Sequence, residues 1–162
     1  MTWAHVHPAI NHLPVILVPV AAVLLGAAWV RKTTDLKNAG LVVLVAAAMT
    51  AGGTYLTGEP AESVIKDLPT ISDSAIEEHE DAALLATVVT SVAGILAIGA
   101  FVTGRRPGSS AAWIVAATLA MALLAAILLA RTANLGGRIS HPEIRSAVAV
   151  ALRAADAREL EI

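Results

Sequence analysis

Residues Leu13 to Val30 read LPVILVPVAAVLLGAAWV, with no charged side chain anywhere in the run. A helix of that length spans roughly the ~30 Å hydrocarbon core of a bilayer. Three more charge-free stretches follow, Ala39 to Leu56, Ala82 to Val102 and Ala111 to Ala130. Ala9 to His12 extends the first span at its start. The chain of 162 residues is 57% hydrophobic and only 15% charged. Soluble domains carry about 25% charged residues, so the composition points to a membrane protein. The expected fold is therefore all-α: a membrane-spanning antiparallel four-helix bundle with a C-terminal amphipathic helix. The four spans fill residues 1–133. Residues 134–162 form a second, periplasmic part made of a Gly-Gly/His-Pro loop and the amphipathic helix.

The connections set an expected orientation. Arg31, Lys32 and Lys37 lie between the first two spans, and Arg105 and Arg106 between the last two. Short basic loops face the cytoplasm. The N-terminus, the acidic loop Thr57–Asp81 and the C-terminus then lie outside. Trp3, Trp29, Trp113 and Tyr55 fall near span ends, where aromatic belts form. The first span is not expected to be a cleaved signal peptide, because no Lys or Arg precedes it and it is too long. Arg131, Arg138, Arg145, Arg153 and Arg158 run against the charge rule, which a bound acidic group would explain. There is no basic tract or aromatic platform for nucleic acid.

Cysteine is absent. Disulfides, iron–sulfur clusters, thiolate ligands and covalently attached c-type haem are therefore excluded. The remaining ligand-bearing residues are five histidines, His5, His7, His12, His79 and His141. In an antiparallel bundle, odd-numbered spans start and even-numbered spans end on the same side, so all five gather near the outer rim. Neutral imidazole is the commonest metal ligand, and a pair from facing helices clamps a haem iron. His7 and His12 are five residues apart and point about 140° away from each other on a regular helix. The expected pair is His12, read as the deepest, with His79. His7 and His141 form a shallower second pair, or act as helix-capping residues, and His5 is interfacial. Asn11, Thr57, Glu78 and Glu143 are candidate acceptors for the second ring nitrogens. Arg131, Arg138 and Arg145 would neutralise haem propionates.

Local signals complete the reading. His79, Ala83, Ala86, Thr90 and Gly94 share one helical face, a stripe of small residues that favours close helix packing or leaves room for a macrocycle. Ala48 with Gly52 and Ala116 with Ala120 repeat the small-residue spacing. Ser74-x-x-Glu77 reads as a capping box, and Pro60–Leu68 as a short helix ended by Pro69. Gly136-Gly137 is expected to break the fourth helix. Ser140-His141-Pro142-Glu143 reads as the capping box of the C-terminal helix. The run Glu77–Asp81 is a solvated helix start or, with histidine, a carboxylate–imidazole metal site.

The opening His7-Pro8-Ala9-Ile10-Asn11-His12-Leu13-Pro14 resembles the His-Pro-x-x-x-His-x-Pro start of a bacterial membrane family, domain of unknown function 2231. Asn134-Leu135-Gly136-Gly137-Arg138-Ile139-Ser140-His141 resembles its closing Gly-Gly-x-x-x-His. Thr57-Gly58 and His79 also fit. Leu13 stands where that family often has an aromatic, and Pro142 where it often has glycine. The resemblance implies that His7, His12, His79 and His141 are the functional positions. Similar domains joined to c-type cytochrome modules imply respiratory electron transfer. The expected function is a b-type cytochrome-like subunit with one or two bis-His haem b groups near the periplasmic face. It would work with other membrane or periplasmic redox subunits and would not be an enzyme on its own. The alternatives are a non-catalytic structural subunit of a membrane complex and a His/carboxylate transition-metal protein.

Overall fold

The structure is a computed structural model that describes residues 2–66, 71–104 and 112–141. It contains α1 (Trp3–Arg31), α2 (Thr34–Leu56), α3 (Gly58–Ile65), α4 (Asp73–Thr103) and α5 (Ala112–Ser140), and no strand among the described residues. The four long apolar stretches are each helical, and each is long and apolar enough to cross a membrane. α1 packs on α2, α2 on α4, α4 on α5, and α5 back on α1, while the short α3 lies against α1 and α2.

The buried face of α4 is made of small side chains, while many large apolar ones lie on the surface. Ala86, Thr90, Ala93, Gly94, Ala97 and Ala100 form the buried face of α4. They recur at helical spacing and none is larger than threonine. Val18, Ala21 and Leu25 of α1 and Leu41, Leu44 and Ala47 of α2 complete one side of the core. Ala122, Ala125 and Leu129 of α5 complete the other. Outside, Ile16, Val23, Val30, Met49, Ile95 and Ile127 are exposed. A helix apolar on every side belongs in lipid, where association depends on close packing rather than on hiding apolar surface from water.

Glycine marks the closest approaches. A side chain at Gly94 would put its Cβ 2.5 Å from the Ala48 Cβ, so α2 and α4 touch there almost backbone to backbone. Gly40 does the same for α1 and α2, with the Leu25 Cγ 2.9 Å from its Cβ position. The deep part of the stripe headed by His79 thus serves helix packing. Buried hydroxyls are satisfied within their own helices: Thr90 donates to the Ala86 carbonyl at 2.7 Å and Thr118 to the Ile114 carbonyl at 2.6 Å. Both bonds remove the need for a polar partner in hydrocarbon.

The helix ends differ from expectation in two places. α4 begins at Asp73 after Ser72, two residues before the expected cap, and Ser72 bonds Ser74 rather than a helix amide. His79 still falls in the second turn. α5 runs unbroken through Gly136 and Gly137 to Ser140, so the glycine pair does not end the helix. Residues 134–140 therefore continue the fourth long helix. Each glycine costs about 1 kcal/mol in a helix interior, which packing on a neighbour offsets. The short helix after α2 is also shifted, to Gly58–Ile65. α1 closes on Lys32 in the left-handed region (φ 54), and α2 starts two residues later. The expected C-terminal amphipathic helix, Arg145, Pro69 and the Arg105–Arg106 loop lie outside the described residues.

Candidate functional site

Three prolines sit inside α1, at 8, 14 and 19. Pro14 has no N–H, so the carbonyl of Ile10 loses its helical donor. The Thr54 hydroxyl on α2 lies 3.4 Å from that carbonyl and also donates to Thr50 at 2.9 Å. The proline of the opening motif therefore exposes a backbone acceptor towards α2, beside the end where α2 gives way to α3.

His7 lies half-buried at that end. Its Nδ1 is 2.9 Å from the Thr57 hydroxyl oxygen. Thr57 donates its own proton to the Thr54 carbonyl at 2.7 Å. With its proton on the Thr54 carbonyl, the Thr57 oxygen is placed to accept from an Nδ1–H of His7, and the Thr54 backbone also bonds the His7 ring. Thr57 is one of the acceptors expected from sequence. Gly58 follows, and its Cβ position lies 3.8 Å from the His7 Cε1, an ordinary contact.

His79 is half-buried on α4. Its Nδ1 is 3.1 Å from the Thr132 carbonyl of α5. A carbonyl only accepts, so this ring is the Nδ1–H tautomer with a bare Nε2. The ring rests on Gly136, whose Cβ position is only 3.0 Å from the His79 Cε1. His7 and His79 lie close enough for their charges to interact. Two imidazoles, each anchored at Nδ1, therefore lie within electrostatic range of each other where α1, α4 and α5 approach the end of α2. Arg31, at the far end of α1, is about 36 Å away along the helix at 1.5 Å per residue.

The other sequence candidates are placed differently. His12 is exposed, not the most buried histidine, and its Nδ1–H donates to the Pro8 carbonyl one turn back at 2.6 Å. It is on the outward side of α1, while His7 is the histidine of α1 turned towards His79. His5 is exposed and bonds Thr2 at 2.7 Å. His141 is exposed just after α5. Arg131 and Arg138 are exposed on α5. Arg131 lies 3.8 Å from Glu78, an ion pair open to solvent on both sides. Among the acidic residues, Glu77, Glu78, Glu80 and Asp81 are all exposed, and Glu80 lies near Glu62 of α3. No group of three or more His, Asp or Glu side chains able to hold a metal ion occurs among the described residues. Sequence reasoning missed the Thr132 carbonyl, a backbone atom with no signature of its own. The neighbouring glycine pair was its only trace.

No curated protein matches the chain, and no solved structure does. Residues 4–144, which take in the four long helices except Trp3 and every histidine from His5 to His141, match the family described as predicted membrane protein (DUF2231), and the chain belongs to that family.

Proposed function

We propose that this multi-pass membrane protein is an electron-transfer subunit in which His7 and His79 would hold a haem b. The observation that carries the reading is a pair of half-buried imidazoles at one end of the helices, each anchored at Nδ1 within the chain. His79 spends its Nδ1–H on the Thr132 carbonyl, and His7, bonded at Nδ1 to the Thr57 hydroxyl, would ligate through Nε2 in the same way. Ligating histidines are held in this way in metalloproteins, where the acceptor fixes ring orientation and raises basicity. Two imidazoles from facing helices are a protein ligand set that would suit haem b. A bare zinc ion would need about four ligands. The donor set fits haem, and Arg131 and Arg138 on α5 would face its propionates. The bound haem would supply one-electron redox chemistry. The chain's own residues would orient the two imidazoles, hold both Nδ1 protons and shield the site with helix ends.

An antiparallel bundle underlies this reading. Contacts between neighbours run in opposite directions: Leu25 against Gly40 and Ile10 against Thr54, then Ala48 against Gly94 and Lys37 near Gly104. The same holds for His79 with Thr132 and Gly99 with Ile114. The site then lies at the end away from Arg31 and Lys32, the periplasmic face of a bacterial inner membrane by the charge rule. Electrons would pass between a periplasmic donor and a larger membrane complex or quinone.

A second reading has its own support. The His7–Thr57 and His79–Thr132 bonds each tie two helices together, so the histidines also serve as clasps in a structural subunit. Purification from a haem-replete host separates the two. The electron-transfer reading expects stoichiometric haem b by pyridine haemochrome assay, with a reversible change in the reduced-minus-oxidised spectrum. A colourless protein with a blank metal analysis would leave the clasp reading in its place.

A further inference from the structure

In an α-helix, the carbonyl of residue 132 points at the N–H of residue 136. A side chain on residue 136 stands beside that carbonyl and covers it from a neighbouring helix. In α5 that residue is glycine, and the His79 ring occupies the space a Cβ would take. The Cβ position is 3.0 Å from Cε1, 3.4 Å from Nδ1 and 3.8 Å from Nε2. The first of these is tighter than ordinary van der Waals contact. Gly137 is different, with nothing within 4 Å of its Cβ position. The two adjacent glycines therefore have unequal roles, although both sit within a continuous helix.

We infer that Gly136 is a positioning residue: its missing side chain opens the Thr132 carbonyl to the Nδ1–H of His79 and so fixes which nitrogen of that ring faces the site. The helix keeps its own bond to the carbonyl, and the imidazole adds a second donor to the other lone pair. The ring is thereby held through Nδ1, and Nε2 is the only nitrogen available to a ligand. The consequence for haem rests on the proposed function, but the positioning itself does not.

The test reads the proton directly. Protein labelled with ¹⁵N-histidine is prepared in micelles, and the His79 ring signal is assigned by its loss in His79→Gln. The wild type should show a His79 Nδ1–H protected from solvent exchange. Gly136→Ala should speed that exchange roughly tenfold or more, the equivalent of one lost hydrogen bond. Gly137→Ala should leave it unchanged. A wild-type His79 lacking a protected Nδ1–H overturns the inference, whether or not Gly136→Ala folds. So does equal protection in Gly136→Ala, or equal loss in Gly137→Ala. Protection in a protein that binds no haem would uphold the role of Gly136 and remove the haem reading. Normal haem content with no protection would do the reverse.

Discussion

With His7 and His79 as the proposed haem ligands, His79→Ala should lower the haem retained after purification roughly tenfold or more. Loss of a residue that only orients a ligand already costs about 10–100-fold in metal affinity, and loss of the ligand itself costs at least as much. His7→Ala should have the same effect, because a single imidazole leaves one axial position open. His12→Ala should retain haem with an unchanged spectrum. That contrast follows from placement: His12 is exposed and spends its Nδ1–H on its own helix at Pro8, whereas His7 and His79 are half-buried and within electrostatic reach of each other. Haem content per chain, read by pyridine haemochrome for the three variants side by side, checks the prediction. Loss in His12→Ala with retention in His7→Ala would move the site to the exposed side of α1.

Gly94→Ala should give a large loss of stability. Its new Cβ would meet the Ala48 Cβ at 2.5 Å, and neither atom is the end of a flexible chain. The backbones of α2 and α4 must separate, which costs about 1–3 kcal/mol by the usual scale of overpacking. The intrinsic gain of about 1 kcal/mol for alanine over glycine in a helix offsets only part of this. Thermal unfolding in micelles should therefore show a lowered midpoint. Adding Ala48→Gly removes the colliding methyl and should recover much of the loss. Equal midpoints for wild type and Gly94→Ala would mean that α2 and α4 are not in contact at this point. The change lies well below His79 along α4, so haem content per folded chain should hold.

The spans were legible because uninterrupted apolar sequence of bilayer length has few other uses. The stripe headed by His79 was legible too, since small residues at helical spacing mark a packing face, and Ala86, Thr90 and Gly94 are buried as that pattern requires. The facing of α1 was not. Its residues are apolar on every side, so periodicity could not separate the core from lipid. His12 was accordingly read as buried, while the structure leaves it exposed. The Gly136-Gly137 pair misled for a related reason. Its local signal is that of a helix breaker, yet in α5 the first glycine is needed for contact with His79 and tertiary packing carries the helix onward. Gly40, pressed against Leu25, stood alone without a small partner at the expected spacing and gave no warning. Thr57 could be named in advance as an acceptor because a hydroxyl is visible in a sequence, whereas the Thr132 carbonyl is not.

The central claim is that two imidazoles, from α1 and α4, bind one haem iron. Low-temperature near-infrared magnetic circular dichroism of the oxidised protein, with the matching electron paramagnetic resonance spectrum, reports the axial ligands directly. The account predicts a low-spin ferric haem with the charge-transfer band of bis-imidazole ligation. A high-spin haem, a histidine–methionine signature, or a protein with no haem at all would contradict it.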